Sequence, residues 1–485
     1  MKRIFIFILA IALSLPTAVP GCSGNLPKED NQENQDNQDP DNKENTDNPD
    51  NPDNPDNPDN PETPAELLAL KGTVPVTDDW IFNDKPSITF HIENPNEVSV
   101  TAQIRMRIST DTQKTLETVE QSAEVPAKGS VDVVVTSTDN LEPGFYKASC
   151  YLDKKTVKLF FFGINPTEIV SAPDMQPDFD AFWDSARQQL AAIDMNAELT
   201  EITTKSNSKC KVYLVEMNSV PDGPEGNPVV VRGYYLEPQD GRQHPVIMHF
   251  YGYDELRNPT RLSCPSGNSG EFAEFYLSHR GQYINNRPAD KREPDGHGDF
   301  ENIYGDWFAF NFGNRDGYYY RGAFMDCVQA VHFMATRSTS DMDNLFAEGS
   351  SQGGALSYAA AALSDIPFTA IAPNVAFLGD FPDYFRIVGW PGDVARKNQG
   401  SMTDEEMYAF LSYFDTKNLA TKISCAVYAT IGLQDGTCPP HTNIAPYNNL
   451  LSTDKEVHFY PEMQHSYPPN WTNAIMKYFR DRIKD

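Results

Sequence analysis

Between residues 98 and 108 apolar and polar side chains alternate without a break. Val98, Val100, Ala102, Ile104, Met106 and Ile108 take every second position, with Ser99, Thr101, Gln103, Arg105 and Arg107 between them. A period of two is the repeat of a strand with one face buried and the other wet. Strand-like runs also cover residues 87–93, 130–136, 145–152 and 156–163, and turn-forming Asn94-Pro95-Asn96, Ala127-Lys128-Gly129 and Glu142-Pro143-Gly144 divide the series. About seven short strands in roughly a hundred residues predict an immunoglobulin-like β-sandwich over residues 66–168. His91 lies inside one of these strands, where packing or surface exposure accounts for it. Trp80 is the only tryptophan of the region, and one aromatic makes no binding platform. The domain therefore reads as a spacer rather than a glycan-binding module.

Before residue 66 the pattern is of two other kinds. Met1-Lys2-Arg3 and the apolar residues 4–15 lead into Val19-Pro20-Gly21-Cys22. An apolar run of 12 residues is too short to span a bilayer and long enough for an export signal. Its end resembles a bacterial lipobox, so residues 1–22 are read as a lipoprotein signal with Cys22 as the lipidated residue; Pro20 is an unusual occupant of that box. Residues 23–65 are almost free of apolar side chains and include five consecutive Asp-Asn-Pro triplets over residues 47–61. Such a segment has nothing with which to form a core, and frequent proline with like charge holds it extended. It predicts a disordered acidic stalk of up to roughly 130 Å, at about 3 Å per residue.

From residue 169 onward strands and helices alternate, which predicts an α/β domain over residues 169–485 with a mostly parallel sheet. Residues 229–236, 246–251, 425–431 and 457–460 read as strands and 308–311 as a shorter one, with helices at 320–336 and 470–483. Within this domain the apolar run Leu345-Phe346-Ala347 passes through Gly349-Ser350-Ser351-Gln352-Gly353 into the alanine-rich stretch that begins at Ala355. Strand, Gly-x-Ser-x-Gly and helix in that order form a nucleophile elbow, with Ser351 as nucleophile. The order Ser, then acid, then base picks the partners. Asp435 follows the apolar run 425–431, and His465 stands in a loop between the run 457–460 and the last helix. His441 is the main rival base, six residues beyond Asp435.

Charge narrows the partners. The chain carries 39 Lys+Arg against 69 Asp+Glu, a net −30, of which −21 belongs to residues 63–485 once the stalk and the leader are set apart. An anionic surface disfavours nucleic acid and anionic lipid, while neutral glycans remain compatible. The histidines and cysteines lack a compact metal-ligand spacing, so neither a metal nor another cofactor is expected. Of the six cysteines after Cys22, Cys327 and Cys425 are read as buried, and spacing leaves any disulfide pairing open.

The domain resembles the acetyl xylan esterase and cephalosporin C deacetylase family, carbohydrate esterase family 7. The matching pieces are Asp178-Phe179-Asp180-Ala181-Phe182-Trp183, Gly252-Tyr253, Arg280-Gly281-Gln282, Tyr318-Tyr319-Tyr320-Arg321, the elbow, Phe377-Leu378-Gly379-Asp380-Phe381, and Asp435 with Cys438-Pro439-Pro440 and His465. The resemblance implies an α/β-hydrolase fold, a Ser351, Asp435, His465 triad and removal of acetyl groups from carbohydrates. Arg280-Gly281-Gln282, the family signature, is read as structural support. Backbone N–H groups of Gln352 and Tyr253 are the expected oxyanion hole. Where the family usually has Gly-His-Glu this chain has Gln464-His465-Ser466, so its histidine loop is expected to differ in shape. Tyr318, Tyr319, Tyr320, Trp307 and Trp390 are either a sugar-binding mouth or core. An α/β-hydrolase peptidase and an inactive glycan-binding lipoprotein are the competing functions. The leader and stalk suggest a protein anchored at the outer membrane or surface of a Gram-negative bacterium. The oligomeric state is left open.

Overall fold

In the computed structural model, which describes residues 67–253, 262–282, 284 and 304–484, the alternating stretch lies in the strand Val100–Thr110 except for Val98 and Ser99, which precede it with Val98 exposed. The leader, Cys22 and the stalk up to residue 65 lie outside the described residues. Strands β1 (Lys71–Thr73), β2 (Ile81–Phe82), β3 (Ser87–Glu93), β4 (Val100–Thr110), β5 (Thr115–Val125), β6 (Ser130–Thr136), β7 (Gly144–Leu152) and β8 (Lys155–Ile164) form two sheets. Their orders are β1-β3-β6 and β2-β8-β7-β4-β5. Ile88, Phe90 and Ile92 from one sheet and Ala102, Ile104, Met106 and Ile108 from the other enter a shared core, which is what the period of two predicts. Strand β5 was not legible in the pattern. It pairs with β4 at the sheet edge and is mostly exposed; only Val119, Ala123 and Val125 reach the core, and Glu117 and Gln121 interrupt that face, so the alternation is too weak to reveal it. Trp80 is buried and stacks on Phe160 at 3.9 Å, so it presents no platform for a ligand.

The α/β part contains β9 (Glu198–Glu201), β10 (Cys210–Ser219), β11 (Val229–Pro238), β12 (His244–Phe250), β13 (Ala273–Ser278), β14 (Ser340–Ser350), β15 (Ala370–Asn374), β16 (Ala426–Gly432) and β17 (Lys455–Tyr460). They form one sheet in the order β17-β16-β15-β14-β12-β13-β11-β10-β9. From β17 to β13 every pairing is parallel, and from β13 to β9 every pairing is antiparallel. Crossing of β12 and β13 with β14 in the middle is the strand order of an α/β-hydrolase. Helices α1 (Phe179–Ala191), α2 (Tyr319–Ala335), α3 (Gln352–Leu363), α4 (Phe381–Ile387), α5 (Gly392–Asn398), α6 (Asp404–Leu411), α7 (Thr416–Ala420), α8 (Pro440–Asn448) and α9 (Trp471–Arg480) complete it.

Central strands are apolar on both sides because both sides are covered. Leu345 and Ala347 of β14 join the core shared with α2 and α3, whereas Phe346 joins Trp471, Ile475 and Phe479 of α9 on the opposite face. Two expectations need correction. Residues 308–311 are turn, not strand: Asp306 accepts from the N–H of Phe308 at 3.0 Å and that of Ala309 at 3.3 Å, and Asn311 has φ +54°. The side-chain carboxylate thus closes a turn where an apolar run suggested a strand. Cys425 lies just before β16 and is only half-buried.

Candidate active site

Strand β14 ends at Ser350, helix α3 begins at Gln352, and Ser351 between them has φ +59° and ψ −122°. Left-handed backbone at a non-glycine residue is a strained state that a packed surrounding must hold. The surrounding here is tight. A Cβ on Gly353 would lie 2.2 Å from the Phe250 carbonyl oxygen, and one on Gly349 2.4 Å from Gly353, so strand and helix approach too closely for side chains. Ser351 N–H donates to Asn374 O at 2.9 Å, and its own carbonyl accepts from Phe377 N–H at 3.0 Å.

Asp435 follows β16 and His465 follows β17, and the two side chains meet: His465 Nδ1 lies 2.7 Å from Asp435 Oδ2. The Asp435 carboxylate is fully buried and its other oxygen accepts from the N–H groups of Thr437 at 2.8 Å and Cys438 at 2.9 Å. With both oxygens engaged, the carboxylate has one orientation. Ser351, Asp435 and His465 follow β14, β16 and β17 of one parallel series, so the turns that carry them lie on the same edge of the sheet. His441, the rival base, turns elsewhere: its Nε2 lies 3.2 Å from Asp380 and 2.9 Å from Asp383.

One residue the sequence reading missed links all three strand ends. Asn374, fully buried at the end of β15, donates to Ser350 Oγ at 2.8 Å and to Ser466 O at 3.1 Å, and accepts from Thr430 Oγ1 at 2.6 Å. It thus touches the neighbours of Ser351 and His465 and the strand that leads to Asp435. The only local signal was a polar residue closing an apolar strand next to the elbow.

Gln352 and Tyr253, the residues expected to donate to the oxyanion, lie at the start of α3 and in the loop after β12. Gln352 is the first residue of α3, and the leading N–H groups of a helix have no partner inside it. The loop after β12 crosses the elbow, since a Cβ on Gly252 would lie 3.9 Å from Ser351 Cβ. Tyr253 is pinned through its ring: its hydroxyl donates to Asp306 at 2.6 Å and accepts from Phe308 N–H at 3.1 Å, and Trp390 packs at 5.5 Å. The Gln352 side chain accepts from Tyr320 and donates to His279 Nε2 at 3.0 Å. Burial pushes the His279 ring down to about 4, so it stays neutral, accepts on Nε2 and donates from Nδ1 to Tyr319.

Arg280 is support, as expected. It is buried, donates to both oxygens of Asp326 at 2.9 and 2.7 Å, and also reaches Asp222 and the Val220 carbonyl. Of the candidate mouth aromatics, Tyr318, Tyr319, Tyr320 and Trp307 are core, and only half-buried Trp390 is a surface candidate. Among the described residues one trio, Asp380, Asp383 and His441, could gather around a cation, but Lys417 Nζ already sits 3.0 Å from Asp380. Burial opposes charge on His441, yet hydrogen bonds to Asp380 and Asp383 hold its ring up at about 9. Cys150, Cys210, Cys264, Cys327, Cys425 and Cys438 are all free thiols.

Comparison with known proteins settles the family. The acetyl xylan esterase (AXE1) family model matches residues 168–482. The chain belongs to the acetyl xylan esterase family. It is thus a carboxylic ester hydrolase acting on acetylated carbohydrate. The acetyl esterase Axe7A of Xylanibacter ruminicola is 26% identical to this esterase over 417 residues, covering 84% of this chain and 88% of that one. That alignment is longer than the α/β part, so the likeness extends into the strand-rich region. The acetyl xylan esterase of Paenibacillus sp. R4 is 28% identical, with a TM-score of 0.54 over 65% of this chain and 98% of its own. Acetyl xylan esterase 1 of a Thermoanaerobacterium species shares the fold at 23% identity, with a TM-score of 0.54, 66% of this chain and 98% of its own.

Proposed function

We propose that this esterase removes acetyl groups from acetylated poly- or oligosaccharides with Ser351 as nucleophile, His465 as general base and acid, and Asp435 as its orienting carboxylate. The observation that carries the assignment is the 2.7 Å contact between His465 and Asp435, on loops beside the strained turn that presents Ser351. His465 takes the Ser351 proton as Oγ attacks the acetyl carbonyl. Asp435 binds the Nδ1–H tautomer and stabilises the imidazolium that forms. The Gln352 and Tyr253 N–H groups receive the negative oxygen, an interaction whose loss typically costs about 3 kcal/mol of barrier. His465 then gives the proton to the sugar oxygen as it leaves, freeing the sugar hydroxyl, and water activated by the same imidazole releases acetate from the acetyl-serine.

Acetate release from acetylated xylan and hydrolysis of p-nitrophenyl acetate test the reading. Ser351→Ala is expected to lower kcat by about a thousandfold or more with the fold intact. Retained activity in that variant would overturn the assignment, and good cleavage of peptides or long-chain acyl esters would favour the peptidase alternative. For location, the reading is lipidation at Cys22 and a stalk that holds the enzyme off the outer membrane or cell surface. It is supported by the basic start, the apolar residues 4–15 and the acidic, proline-rich stalk. Expression of Cys22→Ala in a Gram-negative host should move activity from the membrane fraction to the soluble fraction; unchanged membrane association would refute it.

A further inference from the structure

We infer that the β-sandwich is a working part of the active site, and that Gln434 is the positioning residue through which it holds the Asp435 and His465 loops. The inference rests on the triad assigned above.

Gln434 directly precedes Asp435, and its side-chain amide lies against strand β8 of the sandwich as another strand would. Its Oε1 accepts from Phe161 N–H at 2.9 Å and its Nε2 donates to Phe161 O at 3.0 Å. Both polar groups of Phe161 are therefore spent on Gln434 rather than on the β7 ladder. The same Nε2 donates to Pro461 O at 2.7 Å, and Gln434 N–H donates to Met463 O at 3.0 Å. One residue thus joins the sandwich, the acid loop and the base loop, with Met463 only two positions before His465. A Cβ on Gly432 would lie 2.6 Å from Met463 O, so the two loops are already in close contact and a shift of one carries the other.

Other contacts act on the same side. Lys158 of β8 pairs with Glu462 at 2.7 Å, and Phe145 of β7 packs near Phe459 of β17 at 6.4 Å. Asn448, at the end of α8, donates to the Pro166 and Ile169 carbonyls just past the sandwich. Residues 68–485 cluster as one compact unit, with a single apolar core running through both parts. A spacer joined by a linker would show none of this; a domain packed as one body transmits its position to what it touches. Because the acid and base act only when aligned, a misplacement on the scale of 1 Å is costly in rate.

The test approaches the contact from both sides. Gln434→Met keeps the volume and removes the amide, and Phe161→Pro removes the donated N–H at a position whose N–H is not used by β7. Each is expected to lower kcat for p-nitrophenyl acetate roughly 10-fold with KM within about twofold, because alignment rather than binding is lost. The double variant should lose little more than Gln434→Met, since the two changes delete the same bond. Ser351→Ala is measured in parallel, and if it stays active the triad has failed rather than the buttress. With Ser351→Ala inactive, a Gln434→Met enzyme whose kcat stays within about twofold overturns the inference, whether or not its thermal midpoint falls. Should Phe161→Pro fail to fold, Gln434→Met decides.

Discussion

Asn374→Ala is the substitution that most directly tests how the three strand ends are kept together. The side chain makes three hydrogen bonds, to Ser350, Ser466 and Thr430, from a site with no solvent exposure. A net value of about 1 kcal/mol for each bond puts the loss near 3 kcal/mol. Rehydration offsets part of this at Ser466, which is exposed, but not at Thr430, whose hydroxyl is buried and left without its acceptor. Helix α3 and its glycine contacts are untouched, so the protein should fold. The loop carrying His465 loses its tie to β15, and kcat should fall roughly 10-fold while KM changes little. Urea unfolding and steady-state kinetics on p-nitrophenyl acetate measure both effects. Asn374→Asp is the companion variant: it keeps the shape but turns a carboxylate toward the Ser466 carbonyl, and it should be no better than alanine. A stability loss under about 0.5 kcal/mol together with wild-type kcat in Asn374→Ala would refute the view that this side chain organises the site.

Three further outcomes follow from the same structure. Gly353→Ala places a methyl 2.2 Å from the Phe250 carbonyl oxygen, so a loss of about 4 kcal/mol or more, seen as insoluble or molten protein, is expected; a soluble variant with a wild-type melting point would contradict it. Arg280→Met leaves Asp326 as an unpaired buried charge and should cost about 3–5 kcal/mol in urea unfolding, with Arg280→Lys only a partial rescue because the paired geometry is lost. His249 lies between Glu274 at 3.0 Å and Glu348 at 2.7 Å; burial alone would lower its pKa, but the two carboxylates raise it to about 9. Its stabilisation is therefore complete below pH 6.5, the ordinary value, and is lost as pH rises through about 9. Unfolding measured from pH 6 to 10 should show a decline on the order of 2 to 3 kcal/mol that is absent in His249→Gln, and parallel curves would show that the ring is not charged.

Local periodicity and turn chemistry determined most of the architecture. Alternation over residues 98–108 specified a half-buried strand, and Gly-x-Ser-x-Gly between an apolar run and an alanine-rich run specified the elbow, because only glycine allows so close an approach. Position after successive strands marked Asp435 and His465 as the candidate acid and base, with His441 as rival, since parallel strands deliver their following loops to one edge of the sheet. Strand β5 escaped because a mostly exposed edge strand carries only a sparse apolar face, and residues 308–311 misled because a buried apolar run looks alike in a strand and in a turn held by Asp306. Tertiary structure alone decided that His465 rather than His441 meets Asp435, that Asn374 ties three strand ends together, and that Gln434 binds the sandwich. Those contacts join residues far apart in the chain, up to 273 positions for Gln434 and Phe161. Their partners are chosen by how whole layers pack, and no local pattern in the sequence records that choice.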